Sequence, residues 1–111
     1  MICKHYDVVV VPFPFTDRRA SKRRPALGLS SEKFSAEAGH TVLAMITSAK
    51  NPPWPSDVVI DAGRAGLPAP SKVRMKLFTL DNRLILDRVG SLSENDKRAV
   101  AEALRRVFGQ A

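Results

Sequence analysis

Two features of this 111-residue chain could act on a phosphate: Arg24, which closes a basic run directly before Pro25, and the pair Thr47-Ser48, which ends an apolar run. Pro25 restricts the backbone beside Arg24, so a planar guanidinium able to fork onto two phosphate oxygens stands on a stiffened base. Thr47 falls where a strand runs out. Its hydroxyl could emerge at the sheet edge and donate to a phosphate oxygen, or equally cap local backbone groups. The remaining residues offer little for conventional catalysis. His5 and His40 stand alone in terminal or turn contexts, no Ser-His-Asp or paired-Glu spacing occurs, and neither a glycine-rich phosphate loop nor a Cys/His set of zinc spacing is present. Arginine and hydroxyls suffice for one reaction, cleavage of RNA by its own 2′-hydroxyl, in which the protein holds the phosphate in line and stabilises its extra charge. That chemistry requires no metal and no cofactor, and none is expected.

Composition points to the same kind of partner. Eighteen Lys and Arg against eleven Asp and Glu give a net charge of +7, which favours polyanions through phosphate neutralisation. The length suits one domain spanning residues 1–111. Cys3 has no second cysteine to pair with, which fits a reducing compartment, and we read it as structural. No signal-like apolar segment and no run of about eighteen apolar residues occurs, so a cytoplasmic protein without membrane attachment is expected.

The elements that must position Arg24 and Thr47 read as short strands. Val8-Val9-Val10-Val11 is β-branched throughout, suiting a strand buried on both faces or bent through a barrel, and Pro12 and Pro14 should end it. Residues 14–24 carry Arg18, Arg19, Lys22, Arg23 and Arg24 against Asp17 alone, a basic loop. A second strand should start at Pro25, with a turn over Glu32–His40 and a third strand over Thr41–Thr47. Asn51-Pro52-Pro53-Trp54-Pro55 is too rich in proline for helix or strand. Ser56–Asp61, Val73–Leu80 and Leu84–Val89 read as three further strands around a Gly/Pro-punctuated loop at 62–70. Ser93-Glu94-Asn95-Asp96 resembles a capping box with Asp for Glu, opening a helix to about Phe108 with an apolar stripe of Val100, Leu104, Val107 and Phe108, stopped by Gly109. The expected fold is mainly β, a partly open antiparallel barrel closed by a C-terminal helix.

The segments D-V-V-V-V-P-F-P-F-T-D and K-R-R-P-A-L-G-L-S resemble the N-terminal signature of the MazF/PemK family of toxin endoribonucleases. The resemblance continues through A-M-I-T-S, A-G-L-P-A-P-S-K-V-R-M-K-L-F-T-L-D-N-R-L-I and G-S-L-S, covering nearly the whole chain. It implies a small SH3-like barrel of the CcdB/MazF type, a homodimer with an RNA groove between subunits, and a cognate acidic antitoxin. The implied function is the toxin of a type II toxin-antitoxin system that cuts single-stranded RNA at selected sequences, leaving a cyclic phosphate. The family's essential arginine before proline falls on Arg24, its active-site threonine on Thr47, and its second basic position on Arg74. Two departures concern the proton acceptor: Lys76 occupies a position where some members carry an aspartate, and Arg18 and Arg19 stand where some carry His or Glu. We therefore expect the 2′-hydroxyl to be activated mainly by positioning and charge.

Around these we expect Lys22, Ser48, Arg74 and Lys76 to contact substrate, with Lys22 and Lys76 favoured over Arg23, Lys72, Arg83 and Arg88 as members of an RNA track. Phe13, Phe15 and Phe78 could stack bases or fill core, and Trp54, set between prolines, should be an exposed aromatic. The alternatives are a non-catalytic gyrase-directed toxin of the CcdB type, a plain nucleic-acid binder, and a degenerate toxin that has lost activity.

Overall fold

The computed structural model describes residues 1–14 and 22–110; Arg18, Arg19 and Phe15 lie outside the described residues. Among the described residues six strands form a single antiparallel sheet: β1 (Asp7–Phe13), β2 (Lys22–Gly28), β3 (His40–Ser48), β4 (Val58–Ile60), β5 (Ser71–Asp81) and β6 (Asp87–Ser91), in the spatial order β4-β5-β3-β2-β1-β6. Two helices accompany them, α1 (Glu32–Ala38) and α2 (Glu94–Val107). The sheet curls into a half-barrel with α2 at its end, the architecture expected from the pattern.

The four consecutive valines of β1 serve two cores. Val8 joins Leu27, Ala44, Ile46, Val73 and, from α2, Val100 and Ala103. Val9 and Val11 face the other way, onto Cys3, Ala26, Leu43, Leu80 and Ile85. Side chains alternate across a strand, so a run with no polar member requires apolar cover on both faces, which a curled sheet supplies. Two register shifts tighten the curl: one between Ala44 and Met45 on β3, where β5 carries two extra residues, and one between Val8 and Val9 against β6.

Three expectations need correction. β1 does not stop at Pro12 but continues to Phe13, with Pro12 opposite Arg23. The Val10 carbonyl accepts from Leu86 N–H on the β6 side. Pro12 shares that parity, so its missing N–H points where β6 is no longer paired, and no ladder bond is lost. β2 likewise begins at Lys22 rather than Pro25. Finally, the turn expected over Glu32–His40 is the helix α1, capped by Ser31, whose hydroxyl accepts from Phe34 N–H, and closed by Gly39 at φ 69°.

At α2, the Ser93 hydroxyl accepts from Asp96 N–H as expected. The reciprocal half of the capping box is absent, because Asp96 instead accepts from Asp61 N–H at 2.8 Å and ties the helix to the end of β4. Acidic residues open the helix and Arg105 and Arg106 close it, matching its dipole. The expected stripe is only partly buried: Val100 and Ala103 are fully covered, whereas Val107 and Phe108 are exposed.

Candidate active site

Pro25 lies inside β2 and opens the sheet at its centre. Leu29 N–H donates to the Val42 carbonyl, so odd-numbered residues of β2 turn their N–H toward β3. Pairing of these strands runs from Gly28 opposite Leu43 to Ala26 opposite Met45 and ends there. Pro25, the next residue due to donate to β3, has no N–H. Continuing the register would set Pro25 opposite Ile46 and Arg24 opposite Thr47. The ladder gives way at the position where the register would bring these two candidate residues opposite one another.

A cleft of about 690 Å³ occupies this opening, and Arg24, Thr47 and Ser48 all line it. Among the described residues its charged lining is Arg23, Arg24 and Asp87. Arg24 is exposed, and no carboxylate of the described residues pairs with it. Asn51 Nδ2 donates to Thr47 Oγ1, and no described residue accepts the Thr47 hydroxyl proton. That proton is available to an acceptor in the cleft, as a phosphate oxygen would be.

Loop 61–70 forms the far wall, with Leu67, Pro68, Ala69 and Pro70 in the lining. It is held by direct backbone contact with β6. A Cβ added at Gly66, which has φ 77°, would lie 2.0 Å from the Val89 carbonyl oxygen, and one at Gly90 would lie 2.4 Å from that of Ala65. Only glycine permits this approach, and a side chain at either position would push the wall outward.

The other predicted residues lie elsewhere. Lys22 is exposed and opposite Phe13 at the far end of β1. Arg74 is not in the cleft: its guanidinium donates to Asp57 Oδ1 at 3.3 Å and Oδ2 at 3.2 Å, and to the Pro52 carbonyl at 2.6 Å. Lys72, buried on the same strand, meets Asp57 Oδ2 at 3.0 Å and donates to the Asn51 carbonyl at 2.7 Å. Partial burial raises the Asp57 carboxyl, but the hydrogen bonds from Arg74, Lys72 and Trp54 N–H outweigh it and hold the group below its ordinary value. Lys76 sits in the β5 irregularity with its ammonium 4.6 Å from the centre of the Trp54 ring, and Arg74 approaches the same ring at 5.8 Å. Trp54 is exposed as expected, at 41%.

Lys72 and Arg74 thus act on the cleft at one remove. They clamp the segment 51–57, and within it Asn51 orients the Thr47 hydroxyl. Sequence reasoning missed Asn51, Asp57 and Asp87. Asn51 carries a weak local signal, an amide four residues beyond the active-site candidate at a proline-led turn, while Asp57 and Asp87 carry none. The histidines are both exposed, with His5 stacked on Tyr6 at 3.7 Å. Burial pushes the Cys3 thiol up, consistent with an unreactive core position. Among the described residues no group of three His, Cys, Asp or Glu is placed to hold a metal ion, and no helix is long and apolar enough to cross a membrane.

A curled β half-barrel with one C-terminal helix and a cationic cleft at an interrupted strand pair is the class of protein this geometry defines. The particular family follows from sequence: residues 4–108 match the PemK-like, MazF-like toxin of type II toxin-antitoxin systems, and the chain belongs to that family. Comparison with curated proteins finds no match. Among solved structures the chain is similar to MazE-MazF (Form-III) from Deinococcus radiodurans, at 20% identity over 100% of both chains with a TM-score of 0.80. It is also similar to the Mycobacterium tuberculosis toxin MazF-mt6, at 22% identity, TM-score 0.78, over 95% of this chain and 98% of that one. An endoribonuclease in complex with its cognate antitoxin from a mycobacterial species is 15% identical, with TM-score 0.76 over 99% of this chain and 96% of that one. These likenesses establish the fold.

Proposed function

We propose that this toxin is a metal-independent, sequence-selective endoribonuclease acting on single-stranded RNA in the cleft between β2 and β3. The observation that carries the reading is the convergence on one opening of a guanidinium with no carboxylate partner among the described residues, Arg24, and a hydroxyl proton, Thr47, both suited to phosphate oxygens. Arg24 forks onto the non-bridging oxygens and Thr47 donates to one of them, fixing the phosphorus in line with the neighbouring 2′-oxygen. As the 2′-oxygen attacks, its proton passes to water. The bond to the 5′-oxygen breaks, that oxygen takes a proton from solvent, and the products are a 2′,3′-cyclic phosphate and a 5′-hydroxyl. The donors count most when the phosphorane carries its additional charge. Ser48 completes the same edge, while Lys22 extends the cationic surface beyond it.

The chain acts as a homodimer in this reading, and an acidic cognate antitoxin neutralises it by covering the cationic cleft. Support for that partner comes from family membership and from the solved complexes of relatives with MazE or a cognate antitoxin. The test is incubation of the purified protein with a long single-stranded RNA in excess EDTA. Discrete cuts ending in cyclic phosphate are expected. RNA left intact would overturn the reading in favour of a non-catalytic toxin on the same scaffold.

A further inference from the structure

A phosphate-binding cleft gains nothing in phosphate affinity from a carboxylate, yet Asp87 lines this one. No cation among the described residues pairs with it. Arg88, its chain neighbour, turns its guanidinium to Asp7 at 2.9 Å, and Asp57 and Asp81 have their own cationic partners. Asp87 Oδ1 accepts the Arg88 N–H at 2.8 Å, and Oδ2 accepts nothing from the described residues. The register gives its place relative to Arg24. Val10 on β1 lies between Pro25 of β2 and Asp87 of β6, so the Pro25 and Asp87 backbones are two strand spacings apart, about 10 Å, with Arg24 the next residue along β2. Among the described residues the two side chains form no ion pair, and the separation leaves room for a base beside a phosphate held on Arg24.

We propose that Asp87 is a base-reading residue of this cleft, an inference that rests on the reading of the cleft as an RNA site. Its carboxylate accepts a hydrogen bond from the exocyclic amino group of the base beside the held phosphate. Cytosine, adenine and guanine present such donors, whereas uracil presents none. The negative charge repels the backbone and lowers affinity for any sequence lacking a donor there, so discrimination comes from both the favourable contact and the penalty on the wrong base. An all-cationic cleft would bind RNA without regard to sequence.

The experiment compares the intact protein with Asp87→Asn, whose amide oxygen can still accept the Arg88 N–H, after circular dichroism and thermal melting show both folded. Binding is read by fluorescence anisotropy with 2′-deoxy oligonucleotides, which lack the attacking hydroxyl: oligo-dC, oligo-dA and oligo-dT. The intact protein is expected to favour an amino-bearing oligomer over oligo-dT by about tenfold, as one good base contact provides, and Asp87→Asn should bring that ratio close to one. No preference in the intact protein, an unchanged ratio in the variant, or an equal gain for all three oligomers would overturn the proposal; the last would make Asp87 a simple electrostatic brake. Cut sites in long RNA separate this failure from that of the nuclease reading. If the intact protein cuts and Asp87→Asn loses rate with its site preference unchanged, Asp87 moves a proton instead of reading a base. If neither protein cuts but the oligomer ratio still collapses, base reading stands and the nuclease reading falls.

Discussion

Arg24 on β2 and Arg74 on β5 are the same residue type in strands of one sheet, yet their surroundings differ sharply. Arg24 lines a cleft at an interrupted ladder and has no carboxylate partner among the described residues. Arg74 is covered to 14% exposure and spends its donors on Asp57 and the Pro52 carbonyl. Lys72 is its companion, at 7% exposure. The comparison teaches that the fold engages an arginine where it supplies a carboxylate, and leaves its donors open to a ligand, as the proposed reading requires, where it supplies none. The two regions nevertheless communicate, since the clamp made by Lys72 and Arg74 holds the segment whose Asn51 orients Thr47.

The sharpest way to break the comparison is to delete each side in turn. Arg24→Ala should lower the cleavage rate by at least about a hundredfold, the scale seen when a preorganised donor to a developing oxyanion is removed, with the thermal midpoint unchanged. Asp57→Asn should act on the fold instead. It leaves Lys72 buried without its counter-charge, and urea denaturation should show a loss of about 3 kcal/mol. A Thr47→Val variant, which keeps the shape but removes the proton donated to phosphate, should cut about tenfold more slowly, near 1.4 kcal/mol in the barrier. The smallest effect is on pH dependence. Asp57 titrates below its ordinary 3.8 when folded, so its stabilisation is complete above that value and is lost as pH falls through it toward the lower folded pKa. Urea midpoints measured between pH 5 and pH 3 should therefore drop more steeply for the intact protein than for Asp57→Asn.

Local signals made much of this legible. The valine run gave β1 and its two-faced burial, Pro25 marked the stiffened base of Arg24, and Ser93 with Gly109 bounded the C-terminal helix. The helix α1 was equally marked, by Ser31 and Gly39, but its seven residues hold too short an apolar period to stand out from a polar turn. Pro12 misled because a proline's effect on a strand depends on which neighbour its missing N–H would face, and that is a property of the sheet. The roles of Arg74 and Lys72 were hidden for a related reason: their partner Asp57 is more than a dozen residues away in sequence, brought close only when β4 pairs with β5. Asp87 was hidden likewise, since nothing in L-I-L-D-R-V shows that β6 pairs with β1 opposite Val10.

The contrast between the two arginines can be observed directly by NMR, following the Nε–H resonances of Arg24 and Arg74 while a non-cleavable 2′-deoxy oligonucleotide is added. The account predicts that the Arg24 signal moves with ligand concentration and disappears in Arg24→Lys, while the Arg74 signal, held by Asp57, stays in place. A shift at Arg74 with Arg24 unmoved would contradict it.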